Sequence, residues 1–375
     1  MKTCSIIIPT WNKLDLLKNC LNAIFENTQY PNYEVIVVDN NSTDGTKDYL
    51  LSLGDKIRPI FNNENLGFAK ACNKGALLSS GDYLVFLNND TVPLKGWLIS
   101  LVELIESSPK IGIVGSKLLY PGGKIQHAGV VFDNKKQPYH IYRNFLNANH
   151  PVVHKVREFQ AVTGACLLIK RALFFQIGLF NEVYINGFED VDLCLRVRKL
   201  GFKVLYSPNS VVIHYEGQTP GRENFTSKNF EILISKWHDF IVPDEDKYYF
   251  EDKFKLLQKD GHVVLTPIEN TCSIVIRKPK NIKDIQELIT KARALNYKTF
   301  ICARNYGNNL DVSWYLTYKM GFFEALLSLF SRGRYFPKLD LFDEQDLRAY
   351  VTNAHHSLLK AVEKLMLSLK QDSSK

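Results

Sequence analysis

Three apolar runs near the start of the chain each end in a cluster of short polar side chains: SIIIPTWN (Ser5–Asn12), VIVVDNN (Val35–Asn41) and YLVFLNND (Tyr83–Asp90). Short runs of this kind, apolar on both faces, fit strands of a parallel sheet covered by helices on both sides. Helical patterns fall between and after them, at Leu14–Glu26, Gly45–Leu53, Phe68–Ser79 and Trp97–Ser107, with further strand patterns at Ile57–Phe61 and Ile111–Val114. Asn41-Ser42-Thr43-Asp44 fits a strand-to-helix loop that ends in an N-cap. The alternation predicts an α/β fold, Rossmann-like, with a mostly parallel central sheet flanked by helices. In such sheets ligands bind at the carboxyl edge, where Pro9-Thr10-Trp11-Asn12, Asp39-Asn40-Asn41 and Asn88-Asn89-Asp90 would meet. For the last cluster two readings stay open: a strand turning into a loop, or a carboxylate delivered to a metal or substrate.

The stretch from Lys117 to Val156 is less regular. It contains Pro121-Gly122-Gly123, a strand-like Ala128–Phe132 and a polar, aromatic and basic segment from Asn134 to Lys155, and predicts a long loop or hairpin over the same edge. A second ordered block follows: strand Cys166–Ile169, helix Arg171–Ile177, turn Asn186-Gly187-Phe188, helix Glu189–Leu200 and strand Val211–His214. The charged run Pro243-Asp244-Glu245-Asp246-Lys247 marks a boundary. The expectation is one domain over residues 1–240, in two parts at 1–115 and 116–240. Residues 241–375 would form a smaller accessory region, α/β or mainly helical, holding a β-α-β pattern at Cys272–Ile276, Ile282–Leu295 and Thr299–Ala303. Within it, Trp314–Phe323, continuing to Leu329–Arg334, mixes apolar and basic residues. That suits either a surface resting on an anionic membrane or a helix packed on its own domain or on a second subunit.

With 375 residues, 45% hydrophobic and 23% charged, the chain is globular in composition rather than disordered. Seven scattered cysteines (Cys4, Cys20, Cys72, Cys166, Cys194, Cys272, Cys302) show no C-x-x-C pair and no zinc spacing, and predict buried thiols in a reducing cytoplasm. The N-terminus, MKTCSIIIPTWN, lacks the long apolar region of a secretory signal, and no stretch reaches the ~18 apolar residues of a membrane span. A cytoplasmic protein is expected, soluble or peripheral at the inner face of the cell membrane. The net charge of +8 and pI near 8.9 favour anionic partners such as nucleotides, diphosphates or acidic lipids.

Candidate chemistry concentrates in INGFEDVDLCLRVRKLGFKVLYSPNSVVIHYEG (Ile185–Gly217). Glu189, Asp190 and Asp192 occupy the first turn of the predicted helix, where the dipole favours acidic residues. Asp192 and Arg196 make an i,i+4 pair. Glu189-Asp190 follow Gly187 at a loop-to-helix junction, where a carboxylate can project into a cleft. His214 closes the apolar run Val211-Val212-Ile213, and its reading as a ligand depends on a carboxylate such as Asp90 converging on it.

The motifs SIIIPTWN, VIVVDNNSTDGT, NENLGFAKACNKG, YLVFLNNDT, TGACLLIKR, GFEDVDLCLRVRKLGFKV and VVIHYEG, taken in order over residues 3–220, resemble the inverting family 2 glycosyltransferases of the GT-A fold. The branch most similar is that of bacterial rhamnosyltransferase-like enzymes. The resemblance implies transfer of a sugar from a UDP- or dTDP-linked donor to a hydroxyl of a glycan acceptor, in surface polysaccharide or glycoprotein glycan synthesis. The nucleotide-binding part would be residues 1–115 and the acceptor-side part residues 116–240. It implies a divalent cation, Mn2+ or Mg2+, held by Asp90 and His214 against the donor diphosphate. Pro9, Thr10 and Asn12 would hold base and ribose, Asp39 would accept from the pyrimidine, and Asn65, Gly67 and Asn73 would complete the nucleotide side. Asn88 and Asn89 would hold the ribose or shape the turn, and Gly164 and Ala165 would line the donor sugar. Asp190 maps to the general base and Glu189 to an acceptor-orienting carboxylate, while His127 in Ile-Gln-His-Ala-Gly also resembles the branch pattern. Expected partners are the nucleotide sugar, a glycan acceptor that is free or lipid-linked, and a second copy or a membrane through the C-terminal region, with no nucleic acid.

Two other classes compete. A nucleotidyltransferase would want a Gly-rich phosphate loop near the N-terminus, which the chain lacks together with any Walker A or G-x-G-x-x-G motif. A non-catalytic nucleotide-sugar or glycan-binding subunit would keep the fold and could lose the base or metal ligands, yet Asp90, Asp190 and His214 are all present.

Overall fold

A computed structural model describes residues 2–217, 225–259, 262–267, 271–276, 297–306 and 309–319. The chain divides into two compact units between Tyr248 and Tyr249. The first unit begins with β1 (Cys4–Thr10), α1 (Leu14–Asn27), β2 (Tyr33–Asp39), α2 (Thr46–Ser52), β3 (Arg58–Phe61), α3 (Gly67–Leu77) and β4 (Tyr83–Leu87). It continues with β5 (Thr91–Pro93), α4 (Trp97–Glu106), β6 (Ile111–Leu119), β7 (Ile125–His127), β8 (Val130–Phe132), β9 (Pro138–His140) and β10 (Arg157–Phe159). After these come β11 (Cys166–Lys170), α5 (Arg171–Gln176), α6 (Glu189–Lys199), β12 (Lys203–His214), α7 (Thr226–Trp237) and α8 (Glu245–Glu251).

The strands form one sheet in the order β10-β12-β6-β11-β4-β1-β2-β3, with β5 added on β12 and β7 on β6. Pairs β1–β2, β1–β4, β2–β3 and β6–β12 are parallel. The exception in the middle is β11, antiparallel to both β4 and β6. Its reversal matters for the site: Cys166, its first residue, pairs with Leu87, the last residue of β4. Gly164 and Ala165 therefore reach the same edge as the carboxyl ends of the parallel strands.

Period-2 alternation divides the strand side chains between two cores. Ile7, Ile36, Val38, Leu84 and Phe86 join α3, α5 and α6 on one face. On the other, Ile6, Ile8, Val35, Val37 and Val85 join α1 and α4. Helix α3 lies close on the sheet because Gly75 has no Cβ, which would otherwise stand 2.5 Å from Ile7 Cγ2.

Between β6 and β11 the chain makes the expected hairpin, β8 against β9, and also contributes two strands to the main sheet, β7 and β10. In the second unit, β13 (Phe254–Lys259) pairs with β14 (His262–Pro267). Strands β15 (Thr271–Ile276) and β16 (Tyr297–Tyr306) both run antiparallel to β17 (Asn309–Lys319), which lies between them. The expected Cys272–Ile276 and Thr299–Ala303 strands are thus present, whereas the helix at 282–295 lies outside the described residues. One expectation is corrected. Trp314 to Lys319 belongs to β17 rather than to a helix packed on its own domain or on a second subunit, the apolar and polar residues of the strand alternating along it; residues 320–334 lie outside the described residues. Among the described residues no helix is long and apolar enough to cross a membrane.

Candidate active site

A cleft of about 820 Å³ runs along the carboxyl edge of the sheet, within the ~300–1,000 Å³ range of small-ligand sites. Of the residues expected to form a site, Pro9, Thr10, Asn12, Asn65, Gly67, Asn88, Asn89, Asp90, Gly164, Ala165, Glu189, Asp190 and His214 line it. Asp39 and Asn73 do not.

Asp90 and His214 come together because β5 pairs antiparallel with the end of β12, placing Thr91 opposite His214, and because the Tyr215 N–H donates to the Asp90 carbonyl at 3.0 Å. His214 Nε2 stands 3.1 Å from Asp90 Oδ1, and both residues are buried. On its far side His214 Nδ1 lies 2.6 Å from Gln126 Oε1. Asn88 Nδ2 stands 3.3 Å from Nε2, while the buried Asn88 Oδ1 has no hydrogen-bond partner.

These residues fit a divalent cation. Two donors held ~2.1 Å from one ion at right angles lie about 3 Å apart, the spacing seen between Asp90 and His214. One carboxylate oxygen and one imidazole nitrogen, backed by a hydrogen-bonded outer residue, form a donor set open to diphosphate oxygens and water. No group of three or more His, Cys, Asp or Glu with metal-binding geometry occurs among the described residues. Protein ligation of such an ion is consequently sparse.

Asp190 is the second residue of helix α6, which leaves a strained loop. Asn186, Gly187 and Phe188 all have positive φ (52°, 150° and 73°), and a bulky residue such as Phe in the left-handed region is a genuine outlier. Glu189 Oε2 accepts the Gly187 N–H at 2.6 Å, tying the loop to the helix start. Asp190 Oδ2 accepts the Gly164 N–H at 2.7 Å, and its Oδ1 accepts the Val191 N–H at 2.9 Å. Glycine at 164 permits this contact, since an added Cβ would stand 3.2 Å from Asp190 Cβ. Asp192, by contrast, is fully buried and structural: it binds Arg196 at 2.7 Å, Lys236 at 2.8 Å and Trp237 Nε1 at 2.8 Å.

At the other end of the cleft, Asn89 Nδ2 donates to Thr10 Oγ1 at 2.9 Å, and Asn12 Oδ1 accepts the Thr43 N–H at 2.8 Å. Asn65 Oδ1 accepts the Gly67 N–H at the start of α3. Asp39 is 1% exposed, and its carboxylate closes its own loop by accepting the backbone N–H and hydroxyl of Ser42. Asn73 is a buried residue of α3, where it accepts the Phe180 N–H and donates to the Phe180 carbonyl and Glu182. Both residues therefore hold loops in place instead of facing the cleft.

Sequence reasoning missed the opposite wall. Tyr120, Gln126, His140, Arg143, Tyr215 and Glu216 all line the cleft. Arg143 donates to Tyr120 Oη at 2.8 Å and pairs with Glu216 at 3.0 Å, and Tyr120 Oη donates to Glu216 at 2.8 Å. The signal available was slight: a polar Gln between Ile125 and His127, and isolated charges in an irregular stretch. His127 lies behind this wall. Its ring packs edge-on against His140, with centroids 4.7 Å apart, and its Nε2 accepts the Thr163 N–H at 3.5 Å. Burial, assisted by the neighbouring His140, pushes the His127 pKa well down. Burial and then the charge of Arg143 push that of His140 down to about 4.

Residues 5–157 match the family model described as glycosyl transferase family 2. The chain carries a family 2 glycosyltransferase domain. It is 30% identical over 252 residues to the O-antigen biosynthesis protein RfbC of Myxococcus xanthus, covering 65% of this chain and 20% of that protein. It is 25% identical over 245 residues to an N-acetylglucosaminyl-diphospho-decaprenol L-rhamnosyltransferase of Mycobacterium tuberculosis, covering 58% of this chain and 78% of that enzyme. The chain spans less than a third of the length of two of the curated relatives it matches. Among solved structures, GalNAc-T7 with UDP, GalNAc and Mn2+ superposes with a TM-score of 0.53 at 18% identity, covering 66% of this chain and 50% of that one. That likeness establishes the GT-A fold of the glycosyltransferase domain. Gly164, Asp190 and His214 lie beyond the matched residues, yet the sheet brings them to the edge that the matched part builds.

Proposed function

We propose that residues 1–240 form an inverting, cation-dependent glycosyltransferase domain that moves a sugar from a UDP- or dTDP-linked donor to a hydroxyl of a glycan acceptor. Residues 1–115 would bind the nucleotide, residues 116–240 would receive the acceptor, and residues 241–375 would be accessory. The observation that carries this reading is the convergence, in one cleft, of the Asp90–His214 pair with a carboxylate, Asp190, held by backbone N–H groups. Surface polysaccharide or glycoprotein glycan synthesis fits relatives named for O-antigen biosynthesis and rhamnosyl transfer. The second of these is named for a diphospho-decaprenol acceptor, which supports a lipid-linked acceptor here.

In the proposed mechanism Thr10, Asn12 and Asn89 hold the nucleoside, and Ala165 and Gly164 border the donor sugar. Asp190 accepts the proton of the attacking hydroxyl as its oxygen bonds to the anomeric carbon, and the carbon–phosphate oxygen bond breaks on the opposite face. The Gly164 and Val191 N–H groups keep the carboxylate aimed. Asp90 and His214 would hold the divalent cation, which supplies Lewis-acid stabilisation to the leaving diphosphate. Side-chain charge alone is poorly suited to that task. The Lys and Arg residues among the described lining are Lys13 and Arg143, and Arg143 is paired with Glu216.

The test is a panel of UDP-, dTDP- and GDP-sugars incubated with Mn2+ or Mg2+ and candidate glycan acceptors, read by nucleoside diphosphate release. Cation-dependent release from one donor is expected. No release from any donor, combined with retained nucleotide-sugar binding, would replace this reading with that of a binding subunit.

A further inference from the structure

Gln126 is 1% exposed in β7, directly behind His214. Its amide can point only one way. The Nε2 end lies 3.2 Å from the His214 carbonyl and 3.3 Å from Glu216 Oε2, both acceptors, so the NH2 group belongs there and Oε1 belongs at the other end. Oε1 stands 2.6 Å from His214 Nδ1, and an amide oxygen only accepts. Nδ1 therefore carries a proton, and Nε2 is the nitrogen turned toward Asp90 Oδ1. The backbone carbonyl of the same residue lies 3.1 Å from His140 Nδ1 and fixes that ring in the same sense.

We propose that Gln126 is a positioning residue, whose side-chain oxygen holds a proton on His214 Nδ1 and so keeps the Nε2 lone pair directed at the cation site. The value of this for catalysis rests on the reading of His214 as a cation ligand; the tautomer itself does not. Outer hydrogen bonds of this kind fix ring orientation and raise ligand basicity, and their loss costs about 10–100-fold in metal affinity.

Gln126→Met removes the side-chain oxygen but keeps the backbone carbonyl, which makes His140 an internal control. In protein labelled with 15N-histidine, long-range 1H–15N spectra assigned with His214→Ala and His140→Ala should show both rings as the Nδ1–H tautomer. In Gln126→Met, His214 should lose that tautomer while His140 keeps it. Mn2+ affinity in the presence of UDP, read by electron paramagnetic resonance, should fall about 10–100-fold. An Nε2–H tautomer for His214 in the unaltered protein overturns the proposal even if the variant fails to fold. So does a Gln126→Met protein whose His214 tautomer or Mn2+ affinity is unchanged. Should the unaltered protein show the Nδ1–H tautomer yet bind no Mn2+ with UDP, the cation reading falls and the positioning of His214 stands.

Discussion

At the scale of single residues, Asp190 and Gly164 act as one unit, because the glycine N–H and the absence of its Cβ set where the carboxylate points. Replacing Asp190 with Asn should lower kcat by about 10²–10⁴-fold, the usual worth of a positioned base, with UDP affinity by calorimetry unchanged. Gly164→Ala should lower kcat with little effect on donor KM, because the added methyl presses on Asp190 Cβ rather than on the nucleoside side. Asp90→Ala should abolish the dependence of UDP binding on Mn2+, measured by titration with and without chelator. Asp90, Asp190 and His214 were legible because motifs at strand ends and at a helix start carry chemistry to one edge. Tyr120, Arg143 and Glu216 were not, since Arg143 meets Glu216 only across 73 residues of chain and neither sits in a periodic pattern. Asp39 and Asn73, named as nucleotide-side residues, lie outside the cleft lining. Short polar side chains at loop ends serve turns as readily as ligands, and here they satisfy the backbone or side chain of Ser42, Phe180 and Glu182.

At the scale of elements, helix α6 is the piece that must not move. Asp192 fastens it to α7 through Lys236 and Trp237, and Arg196 extends the tie to the carbonyls of Ile177 and Leu179 after α5. Asp192→Ala would leave the mostly buried Arg196 guanidinium without its carboxylate, and breaking a buried pair this way costs about 3–5 kcal/mol. Urea unfolding of the variant should show an unfolding free energy lowered by that amount, through a lower midpoint at unchanged slope. Most longer strands and helices before β12 were readable from periodicity, with ends shifted, whereas β12 begins at Lys203 rather than Val211 and α7 was not foreseen. The three-residue strands β5, β7 and β10 were not, because so short a run has no period to detect. Yet β5 places Asp90 beside His214 and β7 carries Gln126, so the least legible elements assemble the Asp90–His214 side of the cleft.

For the whole molecule, His127 and His140 make stability depend on pH. Unfolded His titrates near 6.5, whereas His140 is held down at about 4 by burial and by Arg143, and His127 is held lower than its ordinary value by burial and His140. Below pH ~6.5 the unfolded chain takes up protons that the folded one refuses, so stability is full above that value and is lost progressively toward pH 4. Thermal unfolding between pH 7.5 and 4.5 should show Tm falling with acidity, and His140→Gln should flatten the slope.

The reversed strand β11 has an implication for how such a chain can diversify. Strand β6 runs out to the cleft edge and β11 starts from it, so the excursion from Tyr120 to Ala165 leaves and rejoins the sheet at the same rim. Apart from β7, which pairs with β6, and β10, which adds to the outer margin of the sheet on β12, the excursion lies off the main sheet. The stretches outside those two strands can therefore lengthen or be exchanged without shifting the register of the central strands. The stretch between β7 and β10 is a graftable cassette. On the proposed function, transplanting it from a relative should change which acceptor is glycosylated while leaving the part of the cleft built on β1, β2 and β4 intact.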